Sequence, residues 1–153
     1  MIKNYLIQTN KSFLNKFNVL DIPNIEITQQ LLDDCINEVK NELDVKPPIF
    51  IRGIQLNQHR DIGFFSSSSI GYQYSGQIAK SKPLGMNLEL LLVLINELFG
   101  SEFNGILVNR YENGSEYIGA HSDDESNLDK SGVVSISYGS SRIFRIRDKQ
   151  TKK

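Results

Sequence analysis

Residues 104–125 read NGILVNRYENGSEYIGAHSDDE, and this stretch decides the fold class of the chain. Its first part, Ile106 to Tyr111, is rich in branched apolar residues and predicts a β-strand. Asn113-Gly114 is a dipeptide typical of tight hairpin turns, so we expect the chain to reverse there. His121 and Asp123 follow at positions i and i+2, which an extended backbone places on one face. The stretch therefore predicts β-structure that carries polar side chains toward a common site.

Further β-structure is expected on the C-terminal side of this stretch. Val133 to Tyr138 alternates apolar and small polar residues, and Gly139-Ser140 predicts a turn after it. With Arg142 to Arg147 as the returning strand, these residues predict a hairpin that lines a pocket. Everything after residue 104 is therefore expected to be β-structure.

Two helices are expected before that stretch. Thr28 predicts the N-cap of a helix that runs to about Leu43, because Pro47-Pro48 prevents its continuation. Asn87 predicts the N-cap of a second helix, which Gly100 ends in a left-handed conformation. Both segments carry apolar residues at helical spacing, so each is expected to pack one face on a core.

The segment between the helices is expected to be mostly irregular. Ile49 to Leu56 predicts one strand, and His59 to Gly76 predicts a loop-rich stretch that returns to strand-like alternation at Ile70, Tyr72 and Tyr74. Helices first and strands afterwards indicate an α+β domain with a β-sandwich or jelly-roll core.

The composition is that of one ordinary globular domain. The chain has 153 residues, a net charge of -1 and 39% hydrophobic residues, without the basic excess of a nucleic-acid binder that works by charge alone. Its single cysteine, Cys35, excludes an internal disulfide and a thiolate metal site, and burial in the first helix is expected for it. No apolar run is long enough for a signal peptide or a membrane span, so we expect an intracellular protein.

His121 and Asp123 are candidate metal ligands. Non-haem Fe(II) enzymes hold the metal with two histidines and one carboxylate, and this pair supplies two of those three ligands. A His-x-Asp pair on its own is weak evidence, because an isolated histidine is more often structural. Asn109 and Tyr111 on the preceding strand strengthen it, since an amide and a phenol near the metal would donate hydrogen bonds to an acidic small molecule such as a keto-acid.

A wider set of residues resembles one known family. The set comprises Phe103-Asn104, Asn109-Arg110-Tyr111, Gly114, Ile118, His121 to Glu125, Ser135-Ile136-Ser137, Gly139 and Arg142-x-Phe144. Upstream, Tyr72-x-Tyr74-Ser75-Gly76 with Arg60 fourteen residues before Tyr74 resembles the nucleotide-recognition lid of the same family. In order and spacing, these residues are similar to the AlkB family of Fe(II)/2-oxoglutarate dioxygenases that repair alkylated nucleic acid, over about residues 51–148.

The resemblance implies a fold, a reaction and a set of site residues. The implied fold is N-terminal helices and a lid packed on a partial double-stranded β-helix, and the implied reaction is oxidative demethylation of alkylated bases in DNA or RNA. Fe(II) would be the cofactor, and 2-oxoglutarate and O2 the cosubstrates. The implied site is His121 and Asp123 for the metal, Asn109 and Tyr111 for 2-oxoglutarate, and Tyr72, Tyr74, Ser75, Asp124, Glu125 and Arg60 for the substrate.

Within a single domain over residues 1–153, we expect three parts. They are an N-terminal extension with a helix over 1–48, the lid and second helix over 49–100, and the first part of the jelly-roll over 101–153. The family has a second, later histidine ligand and two arginines that bind the far carboxylate of 2-oxoglutarate, but no histidine follows His121 before Lys153. We therefore expect an incomplete domain whose activity is impaired or absent alone, or is completed by a separate C-terminal polypeptide. The alternative is a catalytically dead, truncated homologue that acts as a nucleic-acid-binding or interaction module.

Several of these residues also have purely structural interpretations. Tyr72 and Tyr74 would serve equally as core aromatics, and Asp124-Glu125 as part of a solvated acidic loop. The arginines of Arg142 to Arg147 fit an exposed strand face better than a phosphate contact. His59 has no partner at ligand spacing and is interpreted as a structural or surface residue.

Overall fold

The computed structural model describes residues 5–9, 18–21, 27–123 and 132–145. These ranges contain two helices and nine strands in an α+β arrangement with a curled, jelly-roll-like sheet core, as expected. In chain order they are β1 (Tyr5–Thr9), β2 (Asn18–Asp21), α1 (Gln29–Val39), β3 (Pro48–Ile51), β4 (Ile54–Asn57), β5 (Asp61–Phe65), β6 (Gly71–Tyr74), β7 (Gln77–Lys82), α2 (Met86–Phe99), β8 (Ile106–Arg110) and β9 (Val133–Ile136).

The strands form three sheets in the described ranges. A mixed sheet has the order β6-β7-β5-β8, a three-stranded sheet has the order β2-β1-β9, and β3 with β4 forms a separate hairpin. The two helices contact each other and share one apolar core with β5. Its fully buried members are Ile27, Leu31, Leu32, Cys35, Val39, Leu43, Phe65, Leu88, Leu91 and Ile95.

Strand β5 is the buried centre of the mixed sheet, and the expectation of a loop-rich stretch from His59 to Gly76 is wrong here. All five residues of Asp61–Phe65 are buried, and β5 pairs in parallel with β7 and antiparallel with β8. A strand covered on both faces has no apolar–polar alternation, so periodicity does not identify it. The sequence pattern did not predict strand β7 either. Strand β6, in contrast, lies where the alternation at Ile70, Tyr72 and Tyr74 predicted a strand.

The pairing of β5 with β8 divides the mixed sheet into two faces. Phe65 is opposite Ile106 in the antiparallel register, and both contact the helical core. Side chains alternate between faces along a strand, so Phe64 and its partner Leu107 point to the other side. Asn109 lies two residues after Leu107 and therefore shares this second face. We call it the open face because the helices pack on the opposite side, although Ile62 and Phe64 of β5 are themselves buried on it.

Two tight hairpin turns shape the segment between the helices. The expected single strand from Ile49 to Leu56 is instead the β3–β4 hairpin, because Arg52 and Gly53 have φ values of 52° and 79°. The β6–β7 turn has the same character, with φ values of 45° at Ser75 and 74° at Gly76. Left-handed conformations at both central residues are typical of type I′ turns, whose twist matches that of the flanking strands.

Both helices lie where the sequence predicts them. Thr28 and Gly100 cap them as expected, but α1 ends early and α2 has a different N-terminal cap. The Thr28 hydroxyl accepts a hydrogen bond from the Leu31 N–H at 3.1 Å, which confirms that N-cap, but α1 ends at Val39 rather than near Leu43. Helix α2 ends at Gly100, whose φ of 57° confirms the left-handed C-cap.

Asn87 does not cap α2, because the helix begins one residue earlier, at Met86. Glu38 of α1 takes the role instead. Its carboxylate accepts hydrogen bonds from the N–H groups of Asn87 and Leu88 at 2.9 and 3.4 Å. A side chain at Gly85 would collide with this carboxylate. The N-terminus of α2 is therefore capped by a side chain 49 residues away in sequence, which no local pattern reveals.

The expected hairpin of Val133–Tyr138 with Arg142–Arg147 is also wrong as far as the structure describes it. Val133–Ile136 is a strand, but it pairs antiparallel with β1. Residues 141–145 are not a strand, and Ile146 and Arg147 lie outside the described residues. In the part of the chain that the structure describes, no helix is long and apolar enough to cross a membrane.

We predict that Glu38→Gln destabilises the protein by about 1 kcal/mol, because it removes a negative charge that caps the N-terminus of α2. Urea unfolding measures the change. Glu97→Gln is the matched control, since it makes the same chemical change at an exposed position of α2, far from the N-terminus of that helix. Equal unfolding midpoints for the two variants would contradict the capping role.

We predict that Cys35 resists alkylation while the protein is folded. Burial in the α1 core, together with the negative charges of Glu38 and Asp34, raises the pKa of this thiol to about 12. At pH 8, only about one thiol in ten thousand would then be the reactive thiolate. Iodoacetamide labelling followed by mass spectrometry should show slow modification in buffer and fast modification in denaturant. Fast labelling of the folded chain would show that the thiol is accessible.

Candidate functional site

His121 and Asp123 lie side by side after β8. The Nε2 atom of His121 is 3.5 Å from Oδ1 of Asp123, and both side chains are partly exposed. The other ring nitrogen, Nδ1, lies 2.9 Å from the carbonyl oxygen of Gly119. The backbone there is irregular, so the two side chains converge without the extended strand that the sequence predicts.

The electrostatics of the pair favour a positive charge between the two side chains. The hydrogen bond that the His121 ring donates to the Asp123 carboxylate is the main cause that raises the pKa of His121, while burial opposes it. A carboxylate that stabilises a proton on Nε2 would also stabilise a cation at the same position.

The donor set fits two ligands of a metal site. Hydrogen bonding of Nδ1–H to the Gly119 carbonyl leaves the Nε2 lone pair directed toward Asp123, which is the arrangement that metal-binding histidines commonly adopt. Among the residues that the structure describes, no group of three or more His, Cys, Asp or Glu side chains converges. The described residues therefore bring together two side chains that could hold a metal ion.

Asn109 lies near the end of β8, and Tyr111 directly follows the strand. Asn109 is opposite Ile62 of β5 and is exposed on the open face. Tyr111 is half-buried, and the guanidinium carbon of Arg142 lies 5.2 Å from the centre of its ring. The Asn109 amide is thus exposed on the open face, and the Tyr111 ring lies beneath Arg142 just after the strand.

The loop of residues 111–116, which we call the Tyr111 loop, is held by charged groups that the sequence did not point to. Glu116 is only 4% exposed, and its carboxylate accepts a hydrogen bond from the Glu112 N–H. Its Oε1 atom lies 2.5 Å from Nζ of Lys46. This ion pair lowers the pKa of Glu116 and raises the pKa of Lys46. Glu116 is therefore a buried anchor for the loop.

Arg142 closes the same loop from the other side. Its guanidinium donates to the carbonyl oxygen of Asn113 at 2.8 Å and to that of Glu116, while it covers the Tyr111 ring. The sequence had suggested an exposed strand face for this arginine. The planar guanidinium can make these contacts together, because its donors form a fixed fork.

Tyr72 and Tyr74 lie on the open face, next to Phe64 of the buried strand. The ring centres of Tyr72 and Phe64 are 5.9 Å apart, and those of Tyr72 and Tyr74 are 6.1 Å apart. Both tyrosines are half-buried. They form an aromatic surface that is wider than a single ring.

Arg60 lies beside the aromatic surface and within electrostatic reach of His121. It is 7% exposed, and its guanidinium carbon is 6.0 Å from the centre of the Tyr74 ring. Its charge acts on His121 and opposes protonation there, so the two groups are within electrostatic reach. Gln58, which the sequence did not single out, joins Arg60 to Tyr74 by hydrogen bonds.

The other residues that the sequence singled out lie in different surroundings. Ser75 is an exposed turn residue at the tip of the β6–β7 hairpin. Asp124 and Glu125 lie outside the described residues. His59 stacks on Tyr117, with ring centres 4.9 Å apart, which agrees with the structural role expected for it.

Comparison with known proteins identifies similar sequences. The profile of the 2OG-Fe(II) oxygenase superfamily matches residues 19–153. The DNA oxidative demethylase ALKBH2 of Mus musculus is 37% identical over 89 residues, which are 58% of this chain and 37% of that protein. The protein of the same name from Arabidopsis thaliana is 33% identical over 113 residues, covering 69% of this chain and 35% of its own length. The chain thus spans about a third of the length of these relatives.

We predict that Arg142→Lys loosens the Tyr111 loop, because lysine keeps the charge but lacks the planar fork. Hydrogen exchange of the loop amides measures the effect, and we expect about five- to tenfold faster exchange at the Glu112 and Glu116 N–H groups. Arg145→Lys, an exposed arginine three residues later, is the matched control. Unchanged exchange in Arg142→Lys would show that the loop is held without it.

Proposed function

The chain belongs to the 2OG-Fe(II) oxygenase superfamily and, within it, to the AlkB family, and on that premise we propose that it functions in the oxidative demethylation of alkylated bases in DNA or RNA. Its relatives ALKBH2 are named DNA oxidative demethylases. Because the chain spans about a third of their length, substrate and activity are proposed for this chain rather than transferred to it.

One observation carries the proposal: the Arg60 guanidinium lies over the Tyr74 ring and is also within electrostatic reach of His121. A base held against the tyrosines would therefore lie near the residues that would hold iron. An aromatic cluster with only a packing role would not require a buried arginine within electrostatic reach of His121.

Iron would be held by His121 and Asp123, whose donor atoms converge as described above. When bound with 2-oxoglutarate and O2, Fe(II) supplies a two-electron oxidation that hydroxylates an N-methyl group, which leaves as formaldehyde while 2-oxoglutarate becomes succinate and CO2. The chain's part is to bring the reactants together and to orient them, which lowers the entropic cost of reaction.

The other proposed roles follow from side-chain chemistry. Asn109 and Tyr111 would donate hydrogen bonds to 2-oxoglutarate, with the Tyr111 loop holding the phenol in place. Tyr72 and Tyr74 would flank a base flipped out of its helix, and stacking on an aromatic ring stabilises such a base. Ser75, Asp124 and Glu125 would contact its edge. An alkylated base pairs poorly, so extruding it costs less than extruding a normal base.

A second candidate function is nucleic-acid binding without chemistry. The observation that favours it is the number of metal ligands, since the described residues bring only two together. Two ligands do not impose the facial geometry that leaves three positions open. We therefore propose that the 153-residue polypeptide assayed alone turns over feebly, whereas the aromatic surface and Arg60 act independently of the metal.

Anaerobic titration with Fe(II) and 2-oxoglutarate tests the enzymatic proposal. A visible charge-transfer band arises when the keto-acid chelates iron in a formed site, and we expect a weak band from this chain. We predict that His121→Ala weakens iron binding by at least about tenfold and removes the band, because it deletes one of the two ligands that the described residues would supply.

The control is His59→Ala, which removes the chain's other histidine and should leave the band unchanged. A folded chain without any band would contradict the enzymatic function for this polypeptide. Binding of a methylated oligonucleotide in preference to an unmodified one would then support the second candidate.

A further inference from the structure

The side-chain amide of Gln58 connects a cation to a phenol beneath the open face. Its Nε2 atom donates to the hydroxyl oxygen of Tyr74 at 2.8 Å, and its Oε1 atom accepts from Nε of Arg60 at 3.1 Å. Gln58 and Arg60 are each 7% exposed. Both polar ends of a buried amide are therefore occupied by defined partners.

The chemistry of arginine fixes the direction of this chain of hydrogen bonds. A guanidinium has donors and no acceptor, so the atom of Gln58 that faces Arg60 must be the amide oxygen. The NH2 group must then face Tyr74, whose hydroxyl oxygen becomes the acceptor. A phenol that accepts in this way keeps its own proton for another partner. The positive charge of Arg60 at the far end also polarises the amide and strengthens it as a donor.

We propose that Gln58 is a specificity-determining residue that makes Tyr74 a hydrogen-bond donor to the bound base. This inference rests on the proposed function, because it assumes that a base occupies the aromatic surface. Tyr74 then contributes a directed proton as well as a ring face. The lid accordingly prefers an alkylated base with a carbonyl oxygen at its edge, such as an N3-methylated thymine, over an N1-methylated adenine, which has no carbonyl.

The physical reason for the preference is pairing between donors and acceptors. A carbonyl oxygen that meets the Tyr74 proton completes the chain from Arg60 to the base. An exocyclic amine in its place would bring two donors together, and an unpaired donor at a binding site lowers affinity more than a missing contact does.

The test uses four proteins and two modified strands, with an unmodified strand as reference. The proteins are the wild-type chain, Tyr74→Phe, Gln58→Glu and the double variant. Each modified single-stranded oligonucleotide carries one N3-methylthymine or one N1-methyladenine. Fluorescence anisotropy gives the dissociation constants. We expect Tyr74→Phe to bind the methylthymine strand about five- to tenfold more weakly and the methyladenine strand less than twofold more weakly.

Gln58→Glu tests the direction of the hydrogen bond between residue 58 and Tyr74, because it replaces the donating NH2 group with an accepting oxygen and hardly changes the shape of the side chain. The carboxylate still accepts from Arg60, but its second oxygen takes the proton of Tyr74, which is then lost to the base. We expect the same loss for the methylthymine strand as in Tyr74→Phe. The double variant should lose no more than either single variant, because both changes remove one interaction.

A Raman difference spectrum, wild type minus Tyr74→Phe, reports separately whether the ligand-free phenol accepts or donates. Equal losses for both strands in Tyr74→Phe, or wild-type binding by Gln58→Glu, would overturn the inference. If the wild-type chain prefers neither modified strand to an unmodified one, the proposed function fails and the base preference fails with it. An accepting phenol in that spectrum would then confirm only the orientation of Gln58.

Discussion

The antiparallel pairing of β5 with β8 is the constraint on which the rest of the structure depends. It places five buried residues at the centre of the mixed sheet and fixes which side chains of β8 reach the open face. Asp61 and Arg110 face each other at one end of the pairing, and their side chains form an ion pair at 2.8 Å. A shift of one residue in this register would turn Asn109 toward the helices, because successive side chains alternate between faces.

Buried polar groups next to the open face do as much for the site as the residues that would touch ligands. Glu116 holds the Tyr111 loop through Lys46 and the Glu112 N–H, and Gln58 joins Arg60 to Tyr74. Glu116, Gln58 and Arg60 are each 7% exposed or less. A buried polar group without a partner is costly, so these groups constrain the geometry around them. Binding sites depend on such support.

The sequence predicted the elements whose signals are local. Thr28 caps α1, Gly100 ends α2, and the strand at Ile106–Arg110 lies where the apolar run predicted it. Sequence patterns gave a wrong prediction where the interacting residues are far apart along the chain or where a pattern fits two structures. Strand β5 reads as a loop because burial on both faces removes alternation. The cap of α2 comes from Glu38, whose distance along the chain hides it from any local pattern.

For the site, the sequence by itself determined the chemical identities of its parts. These are an imidazole and a carboxylate two residues apart, an amide and a phenol on one strand, and two tyrosines with alternate spacing. Their family and its fold follow from that order and spacing. Only the tertiary structure decided how these parts meet: that Arg60 lies over Tyr74 within electrostatic reach of His121, that Arg142 covers Tyr111, and that buried amide and carboxylate groups contact them. The reason is physical, since a hydrogen bond or ion pair depends on distance and direction between atoms, and residues far apart in sequence acquire these only when the chain folds.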